Sequence, residues 1–147
     1  MSGSLRHPPA RIIQQLLVDL GLGVDNPDGT WPIFVNHMPD SPDNAIAVYD
    51  TDGKQFGRNS NEGERQEHYG IQIKVRQDRV DETVQRKIDA IKVAVDETIY
   101  REDVTISSRT YLVQAFTRTS NVLQLGLEPV SRRRLYTING TVSLWEI

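Results

Sequence analysis

The chain contains no cysteine. Disulfides, thiolate metal sites and cysteine nucleophiles are therefore excluded, and nothing marks a redox compartment. Its three histidines, His7, His37 and His68, stand alone, none with a partner at H-x-H or H-x-x-x-H spacing, so no transition-metal site is legible. No apolar run approaches the length of a membrane span. The first ten residues, MSGSLRHPPA, have no apolar centre, which argues against a signal peptide. An excess of positive charge is missing as well. Seventeen Lys and Arg against twenty Asp and Glu leave a formal charge of −3, the wrong balance for a protein that coats nucleic acid. These absences predict a protein with no membrane partner and no cofactor, held in the cytosol or assembled from a cytosolic pool.

Catalytic patterns are lacking too. No serine sits in G-x-S-x-G, and LGLG at 20–23 follows a helical stretch, where a nucleotide-binding turn would follow a strand. Asp50 and Asp52 invite a calcium reading. From Asp50, however, position 5 is Lys54, position 6 is Gln55 and position 12 is Asn61, so the EF-hand register fails. Glu64, Glu67 and His68 are the most metal-like cluster, but no further histidine is near. Asp40 and Asp43, in a Pro-rich stretch, suit capping or solvation better than acid–base work. The reading is no catalytic residue, no metal and no enzyme.

What is present is enough for one domain: 147 residues with readable periodicity. Ile12, Ile13, Leu16, Leu17 and Leu20 share a helical face, with Pro9 suited to the first turn and Gly21 to the stop. Extended structure is expected near 31–35 and 45–50, with TDGK (51–54) as a turn. Residues 54–68 are polar apart from Phe56 and read as a long loop. YGIQIKVRQ (69–77) alternates as a half-buried strand. Val80, Val84, Ile88, Ile91, Val95 and Ile99 predict a helix over 80–100, with Glu82 and Arg86 as an i,i+4 pair. Strands follow at 109–119 and 135–147, the latter with Gly140 as a candidate bulge, and 121–134 reads as a connection. This order predicts an α+β fold: a mainly antiparallel sheet with two helices packed on one face.

The arginines are the remaining signal. Arg132, Arg133 and Arg134 form a basic run without interleaved stacking aromatics. It suits a solvated edge or a salt-bridging protein interface, with a small nucleic-acid-binding site as the alternative. Arg58, Arg65, Arg76 and Arg118 are candidates for the same assembly interface.

Several short elements occur in a familiar order. They are Pro39, Asp40, Pro42, Asp43 and Asn44 before the first strand; Asp50 and Gly53 after it; Gly70, Gln72, Val75 and Arg76 in the next; and Gly126 ahead of the last. Together, over about residues 5–144, the chain resembles the tail terminator and minor capsid (tail completion) proteins of tailed bacteriophages. That resemblance implies a structural subunit of the virion tail or neck, assembled in the host cytoplasm. It implies a homo-hexameric ring that caps the tail tube, ends tube polymerisation and presents a surface to the head–tail connector, while genomic DNA passes through without specific binding. Another neck component, a head-completion or connector protein, is the near alternative. The 132–134 run has no counterpart in that pattern.

Overall fold

The computed structural model describes residues 5–58 and 65–147, the side chains of 52–58 and 65–67 excepted. Helix α1, Pro9–Asp19, buries Ile12, Ile13, Leu16 and Leu17 as their spacing predicts. Its N-cap, Pro8, has no side chain to offer. The cap comes instead from a distant strand: Ala10 N donates to Asp50 Oδ1 at 2.8 Å. Asn36 holds that carboxylate in place, donating to Asp50 Oδ2 at 2.8 Å and accepting from Asp50 N at 2.8 Å. The helix ends in a Schellman arrangement, Gly21 N to Val18 O at 3.0 Å and Leu22 N to Leu17 O at 3.0 Å, which requires the left-handed φ of +77° at Gly21.

Among the described residues, seven strands make one sheet: β1 Ile33–Val35, β2 Ala45–Arg58, β3 Arg65–Gln77, β4 Tyr100–Ile106, β5 Arg109–Arg118, β6 Leu123–Leu127 and β7 Arg134–Glu146. The order is β1-β2-β3-β7-β5-β4, with β6 pairing β7 off that path. The sheet is mixed, because β1 lies parallel to β2; every other pair is antiparallel. The long β7 is flanked along 134–142 by β3, and on its other side by β6 first and β5 after. Ile46, Val48, Ile71, Ile73, Val75, Tyr136, Ile138, Val142 and Leu144 join the buried faces of both helices in one core cluster. Helix α1 meets β1, β2 and β4; helix α2, Lys87–Val93, meets β3 and β7.

Four expectations change. The helix over 80–100 begins only at Lys87 and closes in a π turn, Ala94–Thr98. Residues 78–86 wrap around side chains instead. Asp81 Oδ1 accepts from Thr83 N at 2.8 Å and Val84 N at 2.9 Å, the local competition that keeps Asp out of helix interiors. Buried Gln77 donates to Arg79 O at 3.1 Å and Gln85 O at 2.9 Å, and accepts from Lys87 N at 2.8 Å, so it caps α2 from the end of β3. Arg86 consequently pairs with Asp89 at 2.7 Å and not with Glu82. Second, the polar stretch 54–68 is strand on both flanks. Lys54 pairs with His68, Gln55 with Glu67 and Arg58 with Arg65, and 51–54 is an irregularity within β2, not a turn; residues 59–64 lie outside the described residues. Third, β4 and β6 occupy stretches not read as strands. Fourth, Gly140 stays in register with Ile71 and Arg118. Its smallness serves close packing, because a Cβ there would lie 2.4 Å from Phe116 Cε1 and 2.6 Å from Thr117 O. The irregularity opposite β7 falls between Val113 and Ala115.

Candidate assembly surface

The seven arginines singled out from sequence do not form one patch. Arg76 and Arg133 come together, but inward, at 2% and 8% exposure. Arg76 projects from β3 beneath the 40–43 segment, where its Nε donates to Asp43 O at 3.2 Å and its Nη2 to Pro42 O. That segment contains a cis Ser41–Pro42 bond. Arg133 reaches the same segment from the other side, donating from Nη1 to Asp40 O and, at 3.2 Å, to Asp43 Oδ1. Its Nε donates to Glu128 Oε1 at 2.5 Å. Burial first, then the neighbouring Arg133 charge, pull Arg76 below the usual arginine range. Hydrogen bonds from Ser131 and then Arg133 hold the Glu128 carboxyl below the usual carboxylate range, against its desolvation. Two like charges are tolerated side by side because backbone carbonyls and carboxylates surround both.

Arg118 is also engaged. Its Nε donates to Asp96 Oδ1 at 2.8 Å and its Nη1 to Ser120 O at 2.9 Å, tying the end of β5 to the π turn. The hydrogen bond from Arg118 leads in drawing Asp96 below its ordinary value. Arg58 and Arg65 face each other in register on the β2–β3 ribbon, their side chains outside the described residues. Arg132 is exposed and Arg134 half-buried at the β6–β7 turn, and neither makes an ion pair among the described residues. The basic run is thus divided by geometry: its middle member turns in, and its flanking members stay out.

The residues that sequence reasoning passed over are apolar. On β6, Leu123, Leu125 and Leu127 are 43%, 52% and 44% exposed, and Val130 beyond them 95%. β6 pairs only with β7, so its other edge is free among the described residues. The alternation in LQLGL was a signal for it, masked by Gly126 and Pro129. A second exposed group lies toward the other end of β7, where Trp145 (40% exposed) pairs with Leu112 and Tyr100 (67% exposed) pairs with Ala115. Single exposed apolar residues need no explanation, but a clustered edge does. Among the described residues no group of His, Asp and Glu is placed to hold a metal ion, and among the same residues no helix is long and apolar enough to cross a membrane.

A family model described as bacteriophage tail terminator protein matches residues 16–125. No curated protein matches the chain.

Proposed function

The chain belongs to the bacteriophage tail terminator family, a family of structural virion components, and from that membership we propose that it acts by assembly. Copies join head to tail into a ring, six-membered by resemblance, that seats on the last ring of tail tube subunits. The ring ends tube growth and offers its far face to the head connector, leaving DNA to pass through a lumen that does not grip it. Assembly takes place in the host cytoplasm from chains that each fold as one domain. The observation that carries this reading is the family match over residues 16–125, which runs from α1 through β6.

Physical features support it. Head-to-tail closure needs two different surfaces on each copy, and among the described residues the sheet ends in β1 and β4, with one edge of β6 open as well. Beyond Thr51 and Tyr69, β2 and β3 continue as a two-stranded ribbon paired with each other among the described residues. A two-stranded ribbon is marginal alone in water, so a neighbour or the tube is the natural cover for it. Arg58, Arg65, Arg132 and Arg134 are the contact arginines in this reading, while Arg76, Arg118 and Arg133 stand behind the surface. A nucleic-acid role for 132–134 loses its central member to Glu128 and Asp43. The test is native mass spectrometry with and without tail tubes. The expected result is a closed species at a multiple of 16.7 kDa that binds tube ends and halts their extension. A protein that stays monomeric and ignores tubes overturns the proposal, and a label at the portal side of the virion would move it to another neck position.

A further inference from the structure

Resting on the assembly reading, we infer that the contact between copies joins the β6 edge of one chain to the Tyr100–Trp145 end of the sheet of the next. The occupant of the β6 edge is a second copy of this chain, and three observations select it.

First, both surfaces are apolar and exposed, and they are different. Leu123, Leu125 and Leu127 sit on a free strand edge; Tyr100 and Trp145 sit beside Leu112 and Ala115 on the sheet's far end. Second, they are separated. Leu123 pairs with Thr137 and Leu112 with Trp145, which puts the two rows about 26 Å apart along β7 at ~3.3 Å per residue. One copy cannot satisfy its own edge, whereas a neighbour can, and a neighbour that offers its second surface onward continues the contact head to tail. Third, the unpaired charges are opposite. Arg132 and Arg134 follow β6 at its turn into β7, while Glu97, Glu102 and Asp103 all lie within three positions of Tyr100 in the chain, with Arg101 the one basic residue in that span; none of these makes an ion pair among the described residues. Opposite patches steer encounter and suppress wrong registers. An edge strand with leucines facing out is otherwise an aggregation hazard, so a committed partner explains why it persists.

The chain has no cysteine, so a designed pair reports cleanly. In the variant carrying Tyr100→Cys and Leu125→Cys, mild oxidation should give a ladder of covalently linked subunits on a denaturing gel. Intrachain linkage is ruled out by distance, since a disulfide needs Cα atoms within about 7 Å. Each single variant should stay unlinked. Leu125→Glu should weaken assembly at least tenfold while leaving the thermal unfolding of the monomer unchanged. Rings that form normally but give no ladder in the double variant overturn this contact and leave the assembly reading standing. Dimers from Leu125→Cys alone overturn it in favour of a two-fold contact. An unmodified protein that never associates, with or without tubes, overturns both.

Discussion

At the start of β7 two neighbouring stretches invert the usual sorting of residue types. On one side Arg76 and Arg133 are 2% and 8% exposed, packed under a loop and among its carbonyls. On the other, Leu123, Leu125 and Leu127 are 43%, 52% and 44% exposed on a strand edge. Burial follows from what each neighbourhood supplies, not from side-chain polarity alone. The 40–43 segment presents backbone oxygens that point inward with no strand to receive them, and a guanidinium fork satisfies several at once. β6 has strand pairing on one edge, and its leucines stay about half exposed. The first arrangement is satisfied within the chain; the second is the surface that the assembly proposal puts to use.

That contrast can be broken from either side. Arg133→Ala should have the largest effect, about 3 kcal/mol of lost stability in urea unfolding, because it strands Glu128 and the Asp40 carbonyl. A loss below about 1 kcal/mol would mean that the corner is held by packing and not by its arginines. Gln77→Ala should cost about 2 kcal/mol by the same measurement, since one amide caps α2 and satisfies two carbonyls. It tests whether the inward polar logic extends beyond arginine. Acid should act more gently. Glu128 and Asp96 have depressed carboxyl pKa values in the fold, so the stability they add is complete above the unfolded carboxylate range, about pH 4 to 4.5. It is lost as pH falls through their folded values; thermal melts from pH 6 to pH 3 should show the melting temperature falling, and less steeply in Glu128→Gln. Leu125→Glu should be nearly silent in monomer stability, within about 0.5 kcal/mol. A large loss there would show that the leucine edge is part of the core after all.

Much of this architecture was legible. The stripe of α1, the alternation of 69–77 and the strands at 109–119 and 135–147 all follow local period. What escaped did so for physical reasons. β4 reads YREDVTI, too charged to advertise a strand, yet as an edge it buries only its inward residues. The front half of the 80–100 helix was lost to Asp81 and Gln77, whose side chains offer the backbone better partners than helical carbonyls. The arginines were visible as a group but not as individuals, because the 40–43 segment that receives Arg76 and Arg133 lies 33 and 93 residues away in the chain, although Glu128 is near Arg133 in sequence.

By itself the amino-acid order determined what this protein lacks and how its segments repeat: no thiol chemistry, no paired metal ligands, and apolar periods of about two and 3.6 residues that select strands and helices. Those are local properties of the backbone and need no knowledge of neighbours. Only the tertiary structure decided which charges turn inward, which helix is capped by which strand, and which leucines remain outside. Each of those outcomes depends on sheet register. Asp50 reaches α1, and Gln77 reaches α2, only after β2 and β3 have paired, and Leu125 stays half exposed because, among the described residues, β6 pairs only with β7.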